Sequence, residues 1–243
     1  MKRTPRLTLA AGLATLLTFS AAQANEVEVR KNVETFLGKG GPKVESVKKL
    51  GVMGLYEVQV DSDIFYTDEK VSHLFLGDVV EAKTRKNLTE ERKLKASQIK
   101  FSDLPLEYAI KQVKGNGKRV LATFEDPNCG YCKRLAKELM GVNNVTIYTF
   151  VLPILSADSG EKAKNLWCSS NRAKAWNDLM VDGVLPASAN CDHPTEKVSA
   201  FGRKLGIRGT PTMFFADGSR APGYVPVATL EKALDAGSAS ALR

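Results

Sequence analysis

Cys129-Gly130-Tyr131-Cys132 places two thiols three positions apart. That spacing serves two kinds of chemistry. The pair can close a small disulfide and trade it with other thiols, or it can supply half of a zinc site. The flanking residues favour exchange. Residues 120–124 are a short apolar run that reads as a buried strand. Glu125-Asp126-Pro127-Asn128 breaks it as a turn. Beyond the turn, Cys132, Leu135, Ala136 and Leu139 recur at i, i+3, i+4 and i+7, one face of a helix, with Lys133, Arg134 and Lys137 on the other faces. Cys132 continues the apolar stripe and is expected to be inward and shielded. Cys129 lies one turn earlier, at the open end, where free backbone N–H groups and the helix dipole favour an anion. Lys133 and Arg134 add positive charge nearby. The thiolate is the attacking form, so Cys129 is the expected nucleophile and Cys132 the resolving thiol.

The elements that position this pair belong to a chain with an export signature. Lys2, Arg3 and Arg6 precede an apolar stretch at residues 7–19 and an Ala22-Gln23-Ala24 cleavage pattern. Residues 1–24 therefore read as a signal peptide, too short in its apolar part for a membrane span. The destination is disulfide-permissive and suits a bacterial periplasm. Removing the three leader cations takes the formal net charge from +8 to about +5. The remaining positive residues are scattered, with no basic stripe carrying interleaved aromatics, which argues against nucleic-acid binding. If Cys129 and Cys132 are a redox couple, Cys168 and Cys191 remain as partners, and such a bond is worth about 3 kcal/mol. A four-thiolate zinc site is the rival, although zinc ribbons use two close pairs and Cys168 and Cys191 are far apart. His73 and His193 have no matching metal or catalytic partners by spacing. No metal and no cofactor are expected.

Residues 25–86 contain no cysteine and read as a separate α+β module. Val27, Val33, Phe36 and Leu37 suggest a helix closed by Gly38-Lys39-Gly40-Gly41-Pro42. Tyr56, Val58 and Val60 then alternate with Glu57 and Gln59, and further strands are expected at 64–66, 73–76 and 79–82. So small a module makes a marginal core, which sharing an edge strand with a second copy would relieve. Residues 87–99 read as a polar linker helix capped by Asn87 or Thr89. The remaining residues, 100–243, form an α/β catalytic domain. Its stretch at about 156–200 carries helical patterns: Ala163, Leu166 and Trp167, then Ala173, Trp176, Leu179 and Met180. It reads as a helical insertion held by Cys168 and Cys191. Asp217-Gly218 signals a hairpin. Tyr224-Val225 is expected as the last strand and residues 227–236 as a closing helix.

Gly209-Thr210-Pro211 precedes the apolar segment 212–215. The strand, CxxC, helix and later Thr-Pro resemble the thioredoxin superfamily. In that superfamily a cis-proline loop packs beside the CxxC and offers backbone groups to a bound polypeptide. The resemblance gives this role to Thr210 and Pro211, with Gly130 and Tyr131 also toward substrate. The Gly-Tyr between the cysteines, the separate N-terminal module and the helical insertion with its own cysteine pair resemble the DsbC/DsbG family of periplasmic disulfide isomerases. That resemblance implies a thioredoxin fold behind a cystatin-like dimerisation domain, and a V-shaped homodimer. It implies chaperone-like binding of misfolded, disulfide-bonded exported proteins and a DsbD-type membrane reductase as partner. One position departs from thioredoxin, whose buried Asp six residues before the first cysteine is replaced by Thr123. Glu125 or Asp126 could take the Cys132 proton, or each could be an exposed turn acid. Two alternatives remain on the same residues: a monomeric dithiol oxidase, and a non-catalytic polypeptide-binding chaperone.

Overall fold

The computed structural model describes residues 17–61 and 63–240. Most of the expected signal peptide, residues 1–16, lies outside the described residues. The chain divides into two compact units, one ending at Lys93 and one beginning at Leu94. Among the described residues no helix is long and apolar enough to cross a membrane.

The first unit sets helix α1 (Leu17–Leu37) against a four-stranded antiparallel sheet. The strands are β1 (Val44–Lys49), β2 (Tyr56–Val60), β3 (Asp63–Thr67) and β4 (Leu74–Phe75), in that order across the sheet. The period-2 pattern of β2 does what it predicts. Tyr56, Val58 and Val60 pack with Val44, Val47, Val29 and Val33 into one core. The buried face of the helix differs from expectation. Val29 and Val33 are 0% exposed, whereas Val27 is 67% and Phe36 59% exposed. Val29, Val33 and Leu37 repeat every four residues and form the stripe that meets the sheet. Gly38, at φ 77°, ends the helix with its N–H on the Glu34 carbonyl.

The later strands of this unit are shorter than expected. β4 has two residues, and β5 (Val80–Glu81) pairs with β6 (Lys86–Asn87) in a hairpin of its own. Helix α2 (Leu88–Ala96) follows. Asn87 caps it, its Oδ1 accepting from the Glu90 N–H at 3.0 Å. Thr89, the other candidate cap, is instead fully buried. Its hydroxyl bonds the Tyr66 hydroxyl and accepts from the Val79 N–H. Arg92 pairs with Glu57, a carboxylate buried on the far face of β2. The start of this polar helix is thus held by hydrogen bonds and an ion pair rather than by an apolar stripe.

The second unit is a five-stranded mixed sheet of order β11-β10-β8-β9-β7. β7 (Ile110–Lys114) and β8 (Arg119–Glu125) precede helix α3 (Gly130–Leu139), and β9 (Val145–Val151) returns parallel to β8. β8 is central, and its last five residues are all buried, as a strand covered on both faces requires. The helical insertion comes next. It comprises α4 (Ser159–Cys168), α5 (Arg172–Asn177) with a wider π turn at Asp178–Asp182, and the start of α6 (Thr195–Lys204). β10 (Thr212–Phe215) and β11 (Arg220–Pro222) then form a hairpin, and α7 (Val227–Ser240) closes the chain. Tyr224 and Val225, expected as a strand, lie in the loop after β11. Pro222 and Pro226 flank them, and proline cannot donate to a ladder. The Asp217-Gly218 turn is present. Gly218 sits at φ 79° against the Ile99 carbonyl, where a Cβ would lie 1.7 Å from that oxygen.

Two apolar clusters flank the sheet. Leu121, Ile147 and Met213 meet Leu135 and Leu139 of α3 and Leu230 and Leu234 of α7. Phe124, Phe150 and Phe214 meet Val198 of α6, with Phe124 and Phe150 stacked at 4.6 Å. A third cluster joins the insertion to the CxxC: Ala163, Leu166, Trp176, Leu179 and Met180 pack with Cys129, Cys132 and Ala136. The insertion is therefore part of the wall around the thiols.

Candidate active site

Cys129 is the N-cap of α3, with φ −74° and ψ 119°, and its sulfur accepts from the Cys132 N–H at 3.2 Å. This is the expected junction: β8 ends, a short turn follows, and the helix starts with an N–H aimed at the first sulfur. Both cysteines are free thiols. Cys132 is inward, at 0% exposed. Cys129 is less open than its place at the helix end predicts, at 4% exposed. Packing from distant sequence explains the difference. The insertion covers one side, and on another the Thr210 carbonyl accepts from the Cys129 thiol at 3.3 Å.

Thr210 and Pro211 sit where β10 begins, joined by a cis peptide bond. The loop is fixed from both sides. The Thr212 hydroxyl donates to the Gly209 carbonyl, and the Gly223 N–H donates to the Pro211 carbonyl. Gly130 is exposed, and a Cβ there would meet nothing within 4 Å. Tyr131 is 63% exposed, and its ring stacks on Tyr224 at 6.0 Å. The Tyr224 hydroxyl donates to Glu138, and the Arg134 guanidinium lies 4.5 Å from the Tyr224 ring. Arg134 also bonds Glu138, so its charge faces that carboxylate and ring rather than standing free for Cys129. Cys168 and Cys191 are joined in a disulfide across 23 residues, tying the end of α4 to the loop before α6. Among the described residues no group of three or more His, Cys, Asp or Glu could hold a metal.

The two acids before the CxxC are not exposed turn residues. Glu125 is 1% and Asp126 0% exposed. β8 runs through Glu125, which pairs in parallel with Val151, so the turn begins later than the local sequence suggests. Glu125 accepts from the Thr123 hydroxyl at 2.6 Å, and its other oxygen is buried without a partner. Burial pushes its pKa up to about 7, with the Thr123 bond acting the other way. Cys132 is pushed far above the ordinary thiol range, first by burial, then by the charge of Glu125 and by Cys129. A buried acid and the inner thiol therefore share one desolvated space.

Asp126 does something else. One of its oxygens accepts from the Asn128 N–H at 2.7 Å and the Ser159 hydroxyl at 2.9 Å. The other accepts from the Ile154 and Leu155 N–H groups at 2.8 and 2.9 Å. Its backbone carbonyl accepts from the Cys129 N–H at 3.0 Å. One buried residue thus joins the Cys129 turn, the loop after β9 and the first turn of α4. The sequence suggested Asp126 as a proton carrier or an exposed turn acid, not as the buried junction it is. Ser156 and Ser159, which complete its network through Asn128, carried no local signal.

The Thioredoxin-like domain family matches residues 106–238, and the Disulfide bond isomerase protein N-terminal domain family matches residues 20–90. The Probable thiol:disulfide interchange protein DsbC of Bordetella parapertussis is 51% identical over 181 residues, 74% of this chain. The chain covers 65% of that relative's own length. The Bordetella avium protein of the same description is 49% identical over 191 residues, 76% of this chain and 69% of that one. A crystal structure of a disulfide interchange protein from Neisseria gonorrhoeae aligns with a TM-score of 0.54 at 41% identity, over 56% of this chain and 99% of that one.

Proposed function

The chain belongs to the DsbC family within the thioredoxin superfamily, and on that premise we propose that it is a thiol:disulfide isomerase and reductase of exported proteins. The observation that carries this reading is the Cys129 sulfur held between the Cys132 N–H and the Thr210 carbonyl, at the start of α3. A thiolate formed there attacks one sulfur of a wrongly paired client disulfide. A mixed disulfide forms through Cys129, and the client's other sulfur leaves as thiolate. In isomerisation, a client thiolate attacks a different sulfur, the new client disulfide closes, and Cys129 leaves as thiolate, so there is no net redox change. In reduction, Cys132 attacks Cys129. The client leaves with both thiols, and the enzyme keeps the Cys129–Cys132 disulfide. Glu125 takes the Cys132 proton in that step, since it is buried beside it and has an oxygen without a partner. Asp126 is a positioning residue that fixes the turn on which Cys129 sits.

Thr210 and Pro211 line the client's path, with Gly130 and the exposed Tyr131 on the opposite side. The Cys168–Cys191 bond is structural. The N-terminal module makes a homodimer with a second copy. The protein works in the periplasm after removal of residues 1–24, and a DsbD-type membrane reductase returns the Cys129–Cys132 disulfide to thiols. Reactivation of a scrambled, fully oxidised substrate protein tests the central claim. Cys129→Ala is expected to abolish reactivation, and Cys132→Ala to lower it while mixed disulfides accumulate. Disulfide rearrangement that survives Cys129→Ala sinks the proposal.

A further inference from the structure

The loop after β9 is zipped to the turn that carries Cys129. The Leu152 N–H donates to the Glu125 carbonyl at 2.8 Å. The Ile154 and Leu155 N–H groups share one oxygen of the Asp126 carboxylate, and the Asn128 side-chain amide donates to the Ser156 hydroxyl at 2.7 Å. Cys129 follows Asn128 directly. The zipper itself is polar, yet what it presents outward is apolar: Ile154 is 43% and Leu155 54% exposed. A single exposed apolar side chain is ordinary on a surface. Here two stand in succession, on backbone fixed by a fully buried carboxylate. Packing of the fold does not account for them, because neither belongs to a core cluster among the described residues.

The position of the pair says what covers it. Asp126 holds Cys129 at one end, its carbonyl accepting from the Cys129 N–H, and holds Ile154 and Leu155 at the other through its carboxylate. A polypeptide whose sulfur bonds Cys129 advances about 3.5 Å per extended residue. A side chain one or two positions from the attacked cysteine can therefore reach this loop. An apolar one leaves water by packing on Ile154 and Leu155, and a polar one gains nothing there. The loop is already ordered, so the contact carries little ordering cost. Cysteine is among the most buried residue types, so segments that carry a mispaired client cysteine have apolar neighbours to offer.

We propose that Ile154 and Leu155 form an apolar ledge that binds a Leu, Ile or Phe side chain of the client within about two residues of the cysteine under attack, and so set a sequence preference. The inference rests on the thiol-exchange reading of Cys129. The test uses the full reduced chain and two disulfide-bonded peptides that differ only by Leu or Ser at the positions two residues from the cysteine. Each reaction leaves the peptide as two thiols and the chain with the Cys129–Cys132 disulfide, and the second-order rate constants are compared. The Leu peptide is expected to react about tenfold faster, as for one leucine side chain partly removed from water. The contact is apolar, so the ratio should hold as sodium chloride is raised. Ile154→Ser combined with Leu155→Ser is expected to bring the ratio close to one. Ile154→Val combined with Leu155→Met keeps an apolar surface and should keep most of it. Val113→Ser removes an equally exposed side chain, paired beside Thr146 at the other end of β9, and should leave the ratio unaltered. Equal rates for the two peptides with the unmodified chain, a ratio that collapses in salt, or a ratio that survives the double Ser variant overturns the proposal. So does a double Ser variant with half the mass of the unmodified chain in light scattering, which would seat a second copy on the ledge. Reaction of both peptides with Cys129→Ala overturns the thiol reading itself, whatever the ratio.

Discussion

The Glu125 carboxyl is buried close to Cys132 with one oxygen unpaired, and burial moves its pKa up to about 7. Two consequences follow at this residue. If Glu125 is the base of the proposed reduction, the rate at which Cys132 releases a mixed disulfide should climb with pH through about 7. In Glu125→Gln that limb should move to higher pH, with the rate at pH 7 falling about a hundredfold. Stability should move the opposite way. A carboxyl raised on folding costs nothing below its unfolded value of 4.5 and its full penalty above about 7. Glu125→Gln should therefore match the unmodified chain at pH 4 and be more stable at pH 8, by about 1.4 kcal/mol for each unit between 4.5 and about 7. Denaturant melts at the two pH values check this, and an equal difference at both would remove Glu125 as the titrating group. The placement of the two thiols, Cys129 at the helix start and Cys132 inward, was legible because it depends on neighbours within one helical turn. Glu125 was not, because Glu-Asp-Pro-Asn has the composition of an exposed turn. What buries it is parallel pairing with β9, which no local pattern encodes.

Among the elements, the insertion shows why a cysteine pair outside the active site matters to it. Leu166, Trp176, Leu179 and Met180 form a wall against Cys129 and Cys132, and the Cys168–Cys191 bond ties α4 to the loop before α6. Replacing Cys168 and Cys191 together by Ser should lower stability by about 3 kcal/mol. It should also speed alkylation of the CxxC thiols, because their cover is loosened. An unchanged denaturation midpoint with unchanged alkylation would show that helix packing alone holds the wall. The helices of the insertion were readable from spacing, because Ala163, Leu166, Trp176, Leu179 and Met180 are buried, while Trp167 and Ala173 of the same patterns are half-buried against them. The phase of α1 was misread at Val27 and Phe36. A helix offers several apolar stripes, and the sheet it meets selects one. Tyr224 and Val225 likewise look like a strand until the prolines on either side are weighed. The structure gives Tyr224 to the face of Tyr131 instead.

At the scale of the whole molecule, the two units raise different questions of stability. The second encloses large clusters on both faces of its sheet. The first has two modest clusters, the larger under α1 and a small one of Leu50, Ile64 and Tyr66, and β4 is an outer strand of its sheet, with Phe75 46% and Leu76 81% exposed. Unpaired strand edges with apolar side chains invite pairing. Light scattering of the chain from residue 25 onward should therefore give twice the monomer mass, and removal of residues 25–86 should leave the mass of a single shortened chain. A monomer in both cases would remove the dimer from the proposed function and favour a lone dithiol oxidase. The bond between Cys168 and Cys191 has one more consequence, for how the protein is made. A newly made chain carries four thiols, and two of the three ways to pair them would lock Cys129 and Cys132 into the scaffold. The chain thus meets during its own maturation the error it is proposed to correct in others. On the proposed reading, a finished copy repairs a misoxidised sister.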